Sequence, residues 1–338
     1  MRWVIIAPFF GDHTSVWIDD FDHSGRHEYA KLPTTSADDP ENWHIRKRRS
    51  TPFAVWTQHW QQSRRALQAN CGGLITVFPQ LAMTTAIQRT LSLTRSQMPL
   101  LAWCFNVGQR PQWPIKFIAA IFLRNVDHFV VHSRGEIDTL HDWFGIPRHK
   151  ITFVHLQRAP IAITSTEDTF QPFVLAMGSA NRDYATLVEA MRGLTIRLVL
   201  VASPRSLVGL QIPPNVEVLN GLTAAQCREL AQRATVNVVP LADVETASGQ
   251  VTIVEALRMG RPLIATRGVG TVDYIVDGEN GILVEARNVL DLKLAITRLW
   301  NDGALRDALS RNALTYAEAN LSDDITSKKL AAILDQLS

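Results

Sequence analysis

Cysteine is scarce. The chain has three among 338 residues, Cys71, Cys104 and Cys227, and no C-x-x-C pair. That spacing argues against a disulfide framework and against a thiolate metal site, so each thiol reads as a small core residue. Long apolar runs are lacking as well. The opening Met1-Arg2-Trp3-Val4-Ile5-Ile6-Ala7-Pro8 is far too short for a signal peptide or a membrane span. It reads as the first buried strand of a cytoplasmic protein. Residues 1–160 carry 18 Lys and Arg against 12 Asp and Glu, and the remainder 16 against 20. The basic half points to an anionic partner surface. No motif, repeat or aromatic stacking pattern of a nucleic-acid module accompanies it, so nucleic acid is not the expected partner.

What the chain does have is globular composition, with 46% hydrophobic and 20% charged residues. Its length suits two domains of ordinary size. Short apolar runs at 3–8, 74–78, 100–106, 129–132 and 151–155 alternate with helical patterns at 55–69, 81–92, 114–125 and 134–144. Continuous apolar strands separated by helices of ten or more residues predict a parallel sheet covered on both faces. Residues 19–50 are polar and irregular, with no predicted strand. The aperiodic stretch 157–172 reads as a linker, after which the alternation restarts: strands at 173–177, 197–202, 216–219, 236–240, 263–266 and 281–284, with helices between them. The expected fold is therefore α/β, two Rossmann-like doubly wound domains at 1–158 and 171–320 facing a cleft. A closing helix at 321–338 packs back on the first domain.

The chemistry concentrates in residues 247–267, ASGQVTIVEALRMGRPLIATR. A small-residue loop leads into a helix and then a strand. Ser248, Gly249, Gln250 and Val251 form a helix start able to receive an anion, because the first helical amides lack internal partners and carry the positive end of the dipole. Glu255 follows among apolar neighbours. Ser248 and Gln250 also admit a simpler reading, as a helix cap and a solvated side chain.

The run from Gln250 to Thr266, continued by Gly270-Thr271-Val272-Asp273-Tyr274-Ile275-Val276-Asp277-Gly278-Glu279-Asn280-Gly281-Ile282-Leu283-Val284, resembles the nucleotide-sugar end of family 4 GT-B glycosyltransferases. The similarity covers most of residues 173–300. In the first domain Val130-Val131-His132-Ser133 is similar to that family's strand before a Ser-led helix. The resemblance implies a retaining, metal-independent transfer of sugar from a nucleoside diphosphate donor, with no cofactor, to a glycan or lipid-linked glycan hydroxyl. It implies that Glu255 accepts the ribose hydroxyls, that Arg182 clamps the diphosphate, and that Arg205 and Gly221 lie at strand ends near the nucleotide. It places Gly11, after the first strand, in a loop facing the donor phosphates, and on the acceptor side it points to Asn106, Asp12 and His13. The family's first motif Glu falls on Ala247, its phosphate Lys is missing near Ala185, Thr186 and Leu187, and Glu245 lies two residues too early. Two other outcomes stay open, a non-catalytic nucleotide-sugar sensor and a GT-B sugar-phosphate epimerase or phosphorylase. Basic Arg46, Lys47, Arg48 and Arg49, Trp43, Trp56 and Trp60, and the apolar helix near 115–123 fit contact with an anionic membrane, or alternatively a solvated loop and core.

Overall fold

The computed structural model describes residues 1–10, 26–34, 53–91, 98–108 and 111–338. Gly11, Asp12, His13, Trp43 and the basic run 46–49 lie outside the described residues. The chain divides into two compact units, one formed by Met1–Val154 with Asp323–Ser338 and the other by His155–Ser322.

The first unit holds β1 (Arg2–Ile6), β2 (Glu28–Lys31), α1 (Phe53–Leu67), β3 (Gly73–Val77), α2 (Pro79–Leu91), β4 (Leu100–Trp103), α3 (Ile115–Leu123), β5 (His128–Val131), α4 (Gly135–Phe144) and β6 (Ile151–Phe153). All its strand pairs are parallel, in the order β2-β1-β3-β4-β5-β6. The strands β3, β4 and β5 are buried throughout, as continuous apolar runs demand when helices cover both faces. The strand β2 is an unpredicted addition. Its four residues Glu-Tyr-Ala-Lys lie at the sheet edge with both ends exposed, so they carry no apolar signal. In helix α1 the buried residues are His59, Gln62, Ser63 and Ala66, while Trp56 and Trp60 are exposed. The buried Gln62 donates to the Ala7 and Leu32 carbonyls, which ties α1 to the sheet.

The second unit holds β7 (Val174–Met177), α5 (Tyr184–Met191), β8 (Leu198–Val201), β9 (Val216–Leu219), α6 (Ala224–Arg233), β10 (Val236–Val239), α7 (Gln250–Arg258), β11 (Leu263–Thr266), β12 (Ile282–Val284), α8 (Val289–Asn301) and α9 (Gly303–Asn320). Its sheet is again parallel, ordered β12-β11-β10-β7-β8-β9. The chain winds outward from β7 to β9, then returns to place β10 against β7 and winds the other way. The β7/β10 pair is therefore the topological switch point, where loops diverge at the carboxyl edge and leave room for a ligand.

The stretch expected to be a linker is held to this second unit. The Gln232 side-chain oxygen accepts from the Thr164 and Ser165 amides, its nitrogen donates to the Ala162 carbonyl, and Asp168 pairs with Arg233. The last helix, α10 (Asp323–Leu337), belongs to the first unit, where Leu330, Ile333 and Leu334 join the core of Trp3, Ile5 and Trp103. Asp335 fixes it there through Arg26 and His27.

Candidate functional site

Two loops meet at the β7/β10 carboxyl edge, residues 178–183 after β7 and residues 240–249 after β10. Asn181 joins them. Its amide nitrogen donates to the Asp243 carbonyl at 2.7 Å and to the Ser248 hydroxyl at 2.6 Å, and its side-chain oxygen accepts from the Asp243 amide at 2.8 Å. The residue sits at φ 54°, a left-handed conformation that Asn tolerates better than most L residues. Ser248 is therefore not the cap of α7. That position is Gly249, at φ 81°, with no side-chain cap bond, and a Cβ there would come within 3.0 Å of Val239.

The amides of Val251 and Thr252 have no acceptor among the described residues, and the first backbone bond of the helix runs from Ile253 to the Gly249 carbonyl. Gln250 is buried, which removes the solvated reading of that side chain. The loop is braced from behind by the turn after β11: Val269 donates to the Val244 carbonyl, and a Cβ on Gly270 would stand 2.4 Å from the Ser248 nitrogen.

Arg182 lies across this platform. Its Nε donates to the Met177 carbonyl at 3.1 Å, one terminal nitrogen to the Ala180 carbonyl at 2.7 Å, and the other to Thr252 Oγ1 at 3.2 Å. The guanidinium lies against Gly178, whose missing Cβ leaves it room: an added carbon would be 2.6 Å from a terminal nitrogen. No carboxylate among the described residues lies within ion-pair distance of it. Burial accordingly pulls its pKa down, with the nearby Tyr184 opposing, and burial pushes the Tyr184 phenol up to about 12. A guanidinium has five N–H donors, so two remain for a ligand. A partly buried cation with no carboxylate partner among the described residues, beside the positive end of a helix, suits an anion in charge and geometry.

Glu255 stands three residues beyond Thr252 on α7, a spacing that puts the two side chains about 5–6 Å apart on neighbouring parts of one face. Its side chain is 18% exposed and accepts no hydrogen bond among the described residues. Its charged neighbour is Arg158, with Nε 3.8 Å from the carboxylate. That nitrogen is itself buried without a hydrogen-bond partner. On the α6 side is Cys227, whose thiol is pushed up first by burial and then by the Glu255 charge. Glu255 is thus a half-buried carboxylate with both oxygens still able to accept.

The remaining expected residues of this unit are at the same edge. Arg205 lies in the 3-10 turn Pro204–Leu207 after β8, exposed and without a polar partner among the described residues. Gly221, at φ 70°, follows β9 and precedes α6, which opens with a Thr223–Gln226 capping box. Ala247 is buried, its Cα 3.1 Å from where a Cβ on Gly270 would be, and Glu245 points outward, its amide held by Asp243. Sequence reasoning missed Asn181, Thr252 and Arg158. Asn next to Arg182 carried a left-handed-turn signal; Arg158 carried none, being 97 positions from Glu255.

In the first unit Asn106 follows β4 at the carboxyl edge, its amide donating to the Cys104 carbonyl. The Cys104 thiol lies 2.8 Å from His132 Nε2, and His132 Nδ1 lies 2.7 Å from the Val154 carbonyl. A carbonyl accepts only, so Nδ1 carries the proton and Nε2 accepts from the thiol. The described residues contain no cluster of three His, Cys, Asp or Glu side chains able to hold a metal ion.

Residues 171–302 match the family described as glycosyl transferases group 1. An uncharacterized glycosyltransferase of Methanocaldococcus jannaschii is 38% identical over 65 residues, which is 19% of this chain and 18% of that protein. The chain thus spans under a fifth of that relative's length. Among solved structures, sucrose-phosphate synthase from Thermosynechococcus elongatus is similar at a TM-score of 0.77 and 15% identity, over 99% of this chain and 98% of that one. HepE of Anabaena in complex with UDP-glucose gives a TM-score of 0.68 at 14% identity, over 82% of each chain. The two-unit α/β architecture with its helical tail is that of GT-B glycosyltransferases.

Proposed function

We propose that this protein is a glycosyltransferase that moves a sugar from a nucleoside diphosphate sugar to a hydroxyl of a glycan or lipid-linked glycan, with retention and without a metal ion. The observation that carries the reading is Arg182, a partly buried cation with no carboxylate partner among the described residues, beside the start of α7, with the Glu255 carboxylate, which accepts no hydrogen bond among the described residues, one turn further along. The diphosphate takes the remaining Arg182 donors and the Val251 and Thr252 amides. The ribose diol donates both hydroxyls to Glu255, and charge-assisted bonds of that kind are about twice as strong as neutral ones. The family match over residues 171–302 supports the donor assignment. The solved HepE complex contains UDP-glucose, which supports the donor class.

Transfer breaks the bond from the anomeric carbon to the diphosphate oxygen and forms one from that carbon to the acceptor oxygen on the same face. The acceptor proton passes to the departing diphosphate, so no protein carboxylate is needed as base. Arg182 and the helix start neutralise the charge that grows on the leaving group, the part a divalent cation plays elsewhere. Residues 171–320 bind the donor in this reading. Residues 1–158 receive the acceptor, a role assigned to Asn106, Asp12 and His13, with Gly11 assigned to the donor phosphates, and the protein works at the cytoplasmic side of a membrane.

A second reading, a nucleotide-sugar sensor without turnover, is favoured by the buried Ala247 in the place of the family's first Glu. A thermal-shift screen against UDP-, GDP-, ADP- and CDP-sugars, followed by turnover with the donor found, separates them. Binding with turnover, and a product whose anomeric configuration by NMR is that of the donor, is the expected result. Binding without turnover on any acceptor makes it the sensor. Glu255→Gln should weaken nucleotide binding by roughly ten- to a hundredfold, and unchanged affinity in that variant removes Glu255 from the ribose.

A further inference from the structure

Three strands of the first unit each release one residue into a single constellation. The register sets Ala102 beside Phe129 and Val131 beside Phe153, so β4, β5 and β6 end at nearly the same level and Cys104, His132 and Val154 leave them as neighbours. Cys104 is held on both sides, because the Trp103 carbonyl accepts from the Phe78 amide and the Phe105 amide donates to the Val130 carbonyl, each at 3.0 Å. Between those bonds its φ is 55°, a left-handed turn that breaks the strand's alternation. The thiol lies 2.8 Å from His132 Nε2.

His132 is fixed from three directions. Its Nδ1–H donates to the Val154 carbonyl at 2.7 Å, its amide donates to a Glu136 carboxylate oxygen at 3.2 Å, and its ring stands edge-on to Trp103 with centroids 5.8 Å apart. With Nδ1 protonated, Nε2 is a base aimed at the thiol, and the imidazolium that forms on proton transfer keeps its bond to Val154. Nucleophile, base and orienting acceptor within hydrogen-bond reach are the parts of an activated thiol. All three cysteines are half-buried, so exposure does not distinguish them. Chemistry does. Cys71 lies against Met98 and Cys227 beside Glu255; burial pushes both thiols up, and at Cys227 the Glu255 charge adds to it. Neither has a histidine partner among the described residues.

We propose that Cys104 is a modification site, a thiol activated by His132 that hydroperoxides oxidise in preference to Cys71 and Cys227, and whose oxidation switches off sugar transfer while donor binding persists. The step balances. The Cys104 thiolate attacks the hydroxyl oxygen of the peroxide, the O–O bond breaks, and the imidazolium proton of His132 goes to the departing oxygen. Sulfur gives up two electrons and becomes a sulfenic acid; the peroxide takes them and becomes water or an alcohol. Cys71 precedes β3 at the opposite, amino edge of the sheet, so the first unit offers no second thiol for a disulfide. Recovery therefore needs an external small thiol, which condenses with the sulfenic acid, releasing water, and is then exchanged off by a second one. The Asn106 amide donates to the Cys104 carbonyl at 3.0 Å, so the new oxygen is built two residues from a side chain assigned to the acceptor, and far in sequence from the donor residues 171–320. That consequence rests on the glycosyl-transfer reading; the reactivity of the thiol does not.

The test begins with limiting iodoacetamide on the full chain at neutral pH, the rate at each of the three cysteines being read by peptide mass spectrometry. A free thiol, with a pKa of roughly 8.5, is only a few per cent ionised there, so Cys104 should react at least about tenfold faster than Cys71 and Cys227. His132→Asn keeps an amide N–H close to where Nδ1–H stands and removes Nε2; it should slow Cys104 roughly tenfold. Equal rates at the three thiols of the unaltered chain overturn the proposal whether or not that variant folds, and so does a Cys104 rate that a folded His132→Asn leaves unchanged. Hydrogen peroxide should then put a dimedone-reactive sulfenic acid on Cys104, abolish transfer and leave the nucleotide-sugar thermal shift in place, with dithiothreitol restoring turnover. Cys104→Ser should turn over before and after peroxide. Full turnover by the oxidised protein, or equal loss in Cys104→Ser, overturns the switch. A failed donor reading shows instead as absent nucleotide-sugar shifts and leaves the labelling rates as they are.

Discussion

Replacing Arg182 by Met removes the charge and keeps the length, and the structure predicts opposite consequences for stability and for binding. In the unliganded protein the variant loses bonds to the Met177 carbonyl and Thr252 Oγ1, both partly buried, and to the exposed Ala180 carbonyl. At about 1 kcal/mol net apiece that is a loss of roughly 2–3 kcal/mol. Against it stands the desolvation of a partly buried cation with no carboxylate partner among the described residues, about 2–3 kcal/mol that the apolar side chain does not incur. The two nearly cancel, so the unfolding free energy should move by less than about 2 kcal/mol. Nucleotide binding has no such compensation. Losing a partly buried cation from a phosphate costs about 2–4 kcal/mol, or roughly 30- to 1000-fold in Kd. Urea unfolding and titration calorimetry with the donor identified in the screen read the two quantities. Arg182→Lys should fall between, because an ammonium cannot span three acceptors and still present a fork. An unchanged Kd with a stability loss above about 3 kcal/mol would refute the reasoning and make Arg182 a rivet between β7 and α7.

Other perturbations test the frame around the site. Gly270→Ala places a carbon 2.4 Å from the Ser248 nitrogen and 2.5 Å from its oxygen, contacts that backbone cannot avoid; a loss of about 2–4 kcal/mol in urea unfolding is expected, together with weaker nucleotide binding. His59 is buried in α1, and burial lowers its pKa to about 4 from 6.5. The unfolded chain therefore takes up a proton that the folded one refuses. Stability is full above pH 6.5, falls as pH drops toward about 4, and levels off below, by up to ~3 kcal/mol. His128, lowered by burial to about 4 as well, acts in the same direction. His59→Leu should flatten that part of the pH profile of urea unfolding, and an unaltered slope would count against it.

Much of the fold was legible locally. Continuous apolar strands and intervening helices announced two doubly wound parallel sheets, because a strand buried on both faces has no polar alternation to confuse it. The edge strand β2 was not legible: at a sheet edge four residues need no apolar face, and Glu28-Tyr29-Ala30-Lys31 shows none. Nor was the buried face of α1: the sheet accepts His59, Gln62, Ser63 and Ala66, since Gln62 finds two carbonyls and the small side chains allow close approach to α2.

The sequence by itself determined the local pieces of the candidate site: a glycine-led helix start at Gly249, a carboxylate at Glu255 among apolar neighbours, and a polar turn carrying Arg182. Each depends on spacing within a dozen residues. Only the tertiary structure decided what they meet. The return of β10 to the side of β7 brings Asn181 to Ser248 and Arg182 to Thr252, about 70 positions apart, and the unit's first residues bring Arg158 to Glu255. Strand order is a property of the whole sheet, set by which apolar faces can be buried together, and no local pattern encodes it.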